Sequence, residues 1–407
     1  MGIGGRDAKP SCDVIIVGAG MVGAALACAL GRLELDVIVL EDRPPPPYDP
    51  AAPLDIRVSA ISVASERVFT RLGVWETLPA QRLCPYSRMF VWEDDGSIRF
   101  DAAEVPWSHL GTIVENSLLQ AFTLARLRDF PNVQLRSPAR AAALHAHRDC
   151  AELELAGGER LTTRLVIGAD GTHSPLREMA GIPTYGYSYN QSAIVCAIDT
   201  EKPHQYTAWQ HFLPDGPLAF LPLADGRCSV VWSNTTDAAQ RILEMDDPAF
   251  LRVIEDASGG ILGGMKACGP RASFPLRFRH AASYVGPRMA LIGDAAHTIH
   301  PLAGQGANLG FMDVAALVES ISRALKRGQD LADPAVLSRF QRWRRGDNLL
   351  MSGVVGGFKS LFGAANPMLH FARNKGMGTL NQMTPLKRLV VERAIGLRGD
   401  LQGLARP

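Results

Sequence analysis

Three stretches of this 407-residue chain place glycines and carboxylates where a ligand rich in phosphate and hydroxyl groups can be held. The first is Gly18-Ala-Gly20-Met-Val-Gly23, which follows an apolar run and opens a helical one. Gly18 allows the tight turn, Gly20 lets a pyrophosphate approach the backbone, and Gly23 lets helix and strand pack closely. Glu41, at the end of the next apolar run, suits the ribose hydroxyls of an adenosine, or is an ordinary solvated carboxylate. The second stretch is Ile167-Gly168-Ala-Asp170-Gly171-Thr-His-Ser174-Pro-Leu-Arg177, where small residues let a ligand come close to a strand end, or simply join strand to helix. The third runs from Met289 to Asp313 and holds Gly293-Asp294, His297, His300 and a glycine-rich loop. Asp294, directly after a strand, can accept hydrogen bonds from a ligand hydroxyl. The amides of Gly306, Ala307 and Asn308 open a helix whose N-terminus can hold developing negative charge. Those devices suit a flavin with its ribityl tail, held by distant parts of one chain. The two histidines lack the glutamate or third histidine of a zinc site, so no metal is expected. A structural role, or lining of the flavin pocket, is expected of both.

These groups need a scaffold. Residues 13–17 and 37–40 read as apolar strands flanking a helix over 21–33, a βαβ unit opening a parallel sheet. Helices are expected over 62–72, ending near Gly73, and over 116–128, capped by Asn116. Residues 88–100 alternate around Asp94-Asp95-Gly96, a hairpin turn signal. Strands are expected at 133–136, 151–155 and 165–168. From about 185 to 279 β signals dominate, at 192–198, 207–212, 218–222 and 228–232, with a helix over 248–257. With the hairpin, this region reads as a separate sheet covering the substrate. The nucleotide fold resumes at Met289, and from Pro334 the pattern is helical.

Composition narrows the partners. The chain is 47% hydrophobic, enough for a sizeable core, and its net charge of +1 suggests no nucleic acid. Its seven cysteines are scattered without a C-x-x-C pair, which reads as reduced thiols in a cytoplasmic protein. Residues 1–11 lack the apolar core of a secretory signal, and Arg6 stands where a myristoylation motif wants Ser or Thr. No apolar run approaches the roughly 20 residues of a membrane span, so any membrane contact is expected to be peripheral.

In this order the three motifs resemble the group A flavoprotein aromatic hydroxylases, the class of p-hydroxybenzoate hydroxylase, over nearly the whole chain. Within that class, His300-Pro301-Leu302-Ala303-Gly304-Gln305-Gly306-Ala307-Asn308-Leu309-Gly310-Phe311-Met312-Asp313 is similar to the fingerprint of the ubiquinone-biosynthesis hydroxylases. Asp55-Ile-Arg57-Val-Ser-Ala60, Asn116-Ser-Leu-Leu-Gln120 and Asp215-Gly-Pro-Leu-Ala-Phe-Leu-Pro222 resemble the same subfamily. The fold implied is α/β (α+β): a Rossmann-like FAD-binding domain with an interleaved β-sheet substrate domain and a C-terminal helical region. Its expected boundaries are 1–75, 105–184 and 285–335 for the FAD-binding domain, 76–104 and 185–284 for the substrate sheet, and 336–407 for the helical region. The resemblance implies that Gly18, Gly20, Gly23 and Glu41 hold the adenosine and pyrophosphate end of FAD, and that Arg57 and Gln120 face the cofactor. It places Asp170 and Gly171 near both FAD and a reduced nicotinamide, and Asp294 on the ribityl or pyrophosphate. Gly304, Gln305, Gly306, Ala307, Asn308 and Leu309 are placed on the flavin ring.

The reaction implied is insertion of one oxygen atom of O₂ into the aromatic ring of a polyprenylated phenol or quinol. Such chemistry is carried by the flavin, with the protein supplying orientation and electrostatics. No side chain need be a nucleophile; Pro301 is the expected pocket wall, its carbonyl placed to accept a phenolic hydrogen bond. Electrons are expected from NAD(P)H, bound transiently because there is no second dinucleotide fold, or from a partner protein. A bilayer-dwelling substrate implies peripheral contact with the inner-membrane surface, and a quinone-biosynthesis assembly is a further expected partner. Leu386, Leu389, Val390, Ala394 and Leu397 share one face of a basic, apolar helix that docks a membrane or partner, or caps the FAD domain. Two rival readings share the cofactor motifs: a soluble hydroxylase of a small phenol, and a non-catalytic FAD- or lipid-binding scaffold.

Overall fold

The computed structural model describes residues 10–93, 96–104, 106–298, 306–362, 388, 391–392, 396 and 402–406. A parallel sheet forms the base, in the order Met289–Leu291, Arg160–Gly168, Cys12–Val17, Val37–Leu40, Val133–Arg136, with Val285–Gly286 antiparallel at its edge. Covered on both faces, its strands are continuous apolar runs; Val14, Ile15 and Ile16 are fully buried. The helix Met21–Gly31 is buried from Gly23 to its end, apolar all round because it lies between the sheet and other helices. Strands Ala141–Ala146 and Ala151–Leu155 extend Arg160–Gly168 as an antiparallel ribbon.

A second sheet of nine strands stands over the first. Its path is His297–Thr298, Ala272–Ala281, Thr184–Thr200, Cys228–Thr235, Gly216–Pro222, Thr207–Leu213, Arg88–Glu93, Gly96–Asp101. Helices Thr236–Leu243 and Asp247–Ser258 cover its outer face, around Phe250, Ile254 and Trp232. Asp246 caps the second of these by accepting from the Ala249 N–H, and Gly259 ends it at φ +64°. A small third sheet, Val58–Ser62, Gly111–Glu115 and Cys84–Tyr86, lies between the other two. Helix Gly306–Lys326 packs against Met21–Gly31, and the 29-residue helix Pro334–Phe362 packs against it in turn.

Several elements differ from the sequence reading. Thr184–Thr200 is one strand of 17 residues rather than 192–198, because its first half is polar and exposed. A bulge falls between Ser188 and Gln191, at Asn190 with φ +52°. Ala272–Ala281 is not among the expected strands, although Ala272, Phe274, Leu276 and Phe278 alternate with Ser273, Pro275, Arg277 and Arg279, and it pairs along most of that long strand. Cys84–Tyr86 pairs with Gly111–Glu115, not with the covering sheet. Asn116 is not the cap of its helix: Glu115 holds that position without a side-chain bond to the helix amides, and Asn116 Oδ1 accepts from the Ser59 hydroxyl instead. The turn residues Asp94 and Asp95 lie outside the described residues, as do Leu386, Leu389, Val390, Ala394 and Leu397.

Candidate active site

The three motifs, remote in sequence, converge on one cavity of about 450 Å³. Gly20, Ala169, Gly171, Gly293, Asp294 and Gly306 form its lower side. The covering sheet supplies Ala193, Val195, Ala219, Leu221, Val231, Phe274 and Leu276, an apolar wall with Thr298 at its edge. Ile56, Arg57, Ser59 and Asn116 close a third side.

Two of the fingerprint glycines are packed and one is open. A Cβ at Gly23 would stand 2.0 Å from the Gly18 carbonyl oxygen, and one at Gly18 2.4 Å from that of Ala169. At Gly20 a Cβ would meet nothing within 4 Å. That open cradle lies at the N-terminus of Met21–Gly31, where free amides attract an anion. Glu41 Oε2 accepts from the Ala19 N–H at 2.7 Å, and Gln120 Nε2 donates to the Ala19 carbonyl at 2.9 Å. Both therefore clasp the middle residue of the fingerprint loop.

In the second motif, Asp170 Oδ2 accepts from the Leu176 N–H, while its buried Oδ1 has no partner among the described residues. Burial raises this carboxyl above its usual range, against the hydrogen bonds of Ser174 and Leu176. Arg177, 3% exposed, donates to the Ala295 and Thr172 carbonyls and so ties the second motif to the third. Arg279 of the covering sheet donates to the same Thr172 carbonyl.

In the third motif, Gly293 turns at φ +59° and presents Asp294 to the cavity. The Asp294 side chain is open to the cavity, yet the walls around it keep bulk water away. That confinement pushes its carboxyl upward, against the pull of His297, the Thr172 hydroxyl and Arg57. Gly306 and Ala307 line the cavity. Asn308 points elsewhere: its Oδ1 accepts from the Ser62 N–H at 2.9 Å and its Nδ2 donates to the Ala60 carbonyl at 2.8 Å. Leu309 is buried, its carbonyl 3.5 Å from Arg344 Nη2. His300, Pro301, Gly304 and Gln305 lie outside the described residues.

His297 is structural. Its Nε2 lies 2.6 Å from Asp313 Oδ2, which also accepts from the Gly293 N–H. Asp313 Oδ1 accepts from Arg344 Nε at 2.7 Å and from Asn348. Burial opposes ionisation of Asp313, but the charge and hydrogen bonds of His297 and Arg344 outweigh it and hold the carboxyl at about 2. Sequence reasoning does not single out Arg177, Asp313, Arg344 or the Ser59–Asn116 pair. A signal for Asp313 existed: a lone carboxylate in the apolar run Phe311–Met–Asp313–Val–Ala–Ala–Leu317 must be paired once buried.

Asn308 offers a clean test of this locking. Asn308→Ala leaves the Ser62 amide and Ala60 carbonyl unpaired, at about 1–3 kcal/mol each. Asn308→Asp keeps the acceptor for Ser62 but loses the donor to Ala60. Thermal melts are expected to rank wild type above Asp above Ala; equal melting temperatures would remove the lock.

The open cradle at Gly20, the orphaned Asp170 Oδ1, the cavity-facing Asp294 and the helix start at Gly306 fit an FAD laid across all three motifs. A parallel sheet with this split nucleotide site, roofed by an antiparallel sheet, defines a flavin-dependent monooxygenase. The solved p-nitrophenol 4-monooxygenase PnpA from Pseudomonas putida DLL-E4 has this fold: TM-score 0.76 at 20% identity, covering 95% of this chain and 99% of that one. The chain belongs to the FAD-binding-domain family, whose model matches residues 11–345, and FAD is its cofactor. It is 42% identical over 386 residues to the 3-demethoxyubiquinol 3-hydroxylase of Escherichia coli (strain K12), spanning 95% of this chain and 98% of that protein. It is 39% identical over 387 residues to the ubiquinone hydroxylase UbiL of Rhodospirillum rubrum, spanning 94% and 89%.

Proposed function

We propose that this chain hydroxylates the aromatic ring of a polyprenylated phenol or quinol on the route to ubiquinone. The observation that carries this reading is the apolar wall: eight residues of the covering sheet line the cavity, seven of them apolar, with Thr298 beside Asp294 the one polar residue among them. Such a wall suits a hydrocarbon substituent and offers nothing to a carboxylate. Arg57 is the single cation among the described lining residues, and its guanidinium lies over the Phe274 ring at 5.2 Å. Names of the two relatives above point to the same pathway.

When bound, FAD supplies the activation of O₂ and the transfer of one oxygen atom to the ring. Gly18, Gly20 and Gly23 shape the pyrophosphate cradle, and Glu41 and Gln120 hold its loop while facing the adenosine end. Asp170, Gly171 and Asp294 line the ribityl path. The amides of Gly306 and Ala307 face the place where a reduced flavin concentrates negative charge. Covering-sheet residues exclude water from the reacting centre. Arg57 remains at the cavity edge, beside both cofactor and substrate.

Electrons come from NAD(P)H bound transiently or from a partner. No described helix is long and apolar enough to cross a membrane. In this reading contact with the cytoplasmic face of the inner membrane is peripheral and shared with a quinone-biosynthesis assembly. In the C-terminal region, Val391 and Ala405 are buried, which supports packing of that region on the body of the protein.

The test uses the FAD-loaded protein, reduced chemically without oxygen and then mixed with O₂ and a prenylated phenol. A product heavier by one oxygen is expected by mass spectrometry. Hydroxylation of small phenolic acids alone would favour a soluble hydroxylase, and hydrogen peroxide with no product from any phenol would leave a scaffold.

A further inference from the structure

The covering sheet presents its wall in rows set by strand register. Leu276 stands opposite Gln191, then Phe274 opposite Ala193, then Val195, Val231 and Ala219 in one line, then Ala197, Ser229 and Leu221. Successive side chains of a strand point to opposite faces. Ile194, Cys196, Phe220 and Val230 accordingly turn away and pack under the outer helices. The rows have a direction. Thr298 pairs with Arg279, three residues beyond Leu276, so the Leu276 row lies at the end nearest Asp294. From Gln191 to Ala197 the wall then runs about 20 Å away from that end, at about 3.3 Å per residue. It is far longer than one aromatic ring. At its middle the side chains shrink to methyl groups, Ala193 and Ala219, flanked by Phe274 and Val231.

We infer that this wall seats the first part of the prenyl tail, and that Ala193 and Ala219 set how much hydrocarbon it admits. The inference rests on the proposed function and extends it to named specificity residues. The ring lies at the Asp294 end, and the tail leads away along the rows toward Leu221, the lining residue of the last row. A benzyl group at position 219 would project from the centre of the wall into the tail's path, while the Asp294 end would keep its shape.

The experiment compares, in single turnovers of FAD-loaded protein reduced chemically and then mixed with O₂, the second-order rate constant of hydroxylation at limiting phenol for a phenol bearing several isoprene units with that for the same phenol bearing none. Ala219→Phe is expected to lower the ratio of long to short by about 10- to 200-fold, the range a pocket gains or loses from small hydrocarbon changes. Ala219→Val should lower it less, and serves if the larger variant loses FAD. Leu221→Ala should raise the ratio for longer tails. Cys196→Ala, on the opposite face of the sheet, is the control and should leave the ratio alone. A ratio for Ala219→Phe and Ala219→Val equal to that of wild type would overturn the inference. Wild type that hydroxylates no prenylated phenol would instead overturn the functional reading, and this is seen before any variant is made.

Discussion

Gly18→Ala is expected to purify as a colourless, destabilised protein, whereas Gly20→Ala folds normally and loses only its hold on FAD. Gly18 has φ +104°, a conformation that L residues rarely adopt. Its added Cβ would stand 2.4, 2.7 and 2.9 Å from backbone atoms of Ala169 and Asp170. Neither side can retreat freely. The Gly18 N–H donates to the Leu40 carbonyl and the Ala169 N–H to that of Val17, both at 2.8 Å. Strain of about 1–3 kcal/mol plus overlap of similar size gives roughly 3 kcal/mol or more. A fall in melting temperature on the order of 3–4 °C follows for a chain of this length. Gly20, by contrast, has φ −64° and open space around its would-be Cβ. Alanine fits that backbone, but its methyl fills the space a pyrophosphate needs. Apoprotein melting should match wild type while FAD affinity falls by at least about tenfold, roughly 1.4 kcal/mol. Flavin absorbance per protein and calorimetric titration read both effects. Unchanged FAD affinity in Gly20→Ala would remove the pyrophosphate from this cradle.

Asp313→Asn is expected to cost about 3–5 kcal/mol, because it removes the buried carboxylate that pairs with Arg344 and bonds His297, and leaves Arg344 only the more distant, exposed Asp347. The effect depends on pH in a fixed sense. Asp313 is held at about 2 in the folded protein against an ordinary value of 3.8. A carboxyl lowered by folding contributes stability that is complete above its unfolded value and is lost as pH falls through its folded value. The contribution is about 2 kcal/mol at neutral pH. The gap in unfolding free energy between wild type and Asp313→Asn should therefore stay level from pH 7 to about 5 and narrow below pH 4. Asp330→Asn, which weakens partly exposed pairs with Arg288 and Arg164, should cost about 1 kcal/mol or less. A gap that widens on acidification would sink the account. Because Asp313 also accepts from the Gly293 N–H, FAD affinity should fall with stability in Asp313→Asn and hold in Asp330→Asn.

Motifs and strands of the parallel sheet were legible because each is a local signal. Val37–Leu40 matches its expected bounds, since a strand buried on both faces needs an unbroken apolar run, and Val133–Arg136, a half-exposed edge strand, matches its bounds as well. The ribbon Thr184–Ser188 with Arg277–Ala281 was legible only as part of a β-rich region: its residues alternate, but Tyr185 and Tyr187 are exposed, and its pairing joins segments about ninety residues apart. Side-chain direction within the third motif was hidden for a different reason. Gly306, Ala307, Asn308 and Leu309 follow one another in sequence, but a helix sends them round its axis, so Gly306 and Ala307 reach the cavity while Asn308 locks Ser62. Arg177 and Arg344 bond to groups far along the chain, and nothing local marks that.

The Asn308 lock closes across 246 positions. During synthesis the fingerprint loop emerges first, and its partner helix only after about 300 residues, some 15–60 s later at about 5–20 residues per second. Until then no complete cofactor site exists, and the apolar faces that meet there stay unmatched. A ligand that binds only the finished fold stabilises it by mass action, about 2.7 kcal/mol at a hundredfold excess over its dissociation constant. FAD is thus the final clasp on a late-closing fold. When flavin is scarce, newly made chains linger open and within reach of proteases, so the abundance of the protein follows the vitamin supply as well as the rate of synthesis.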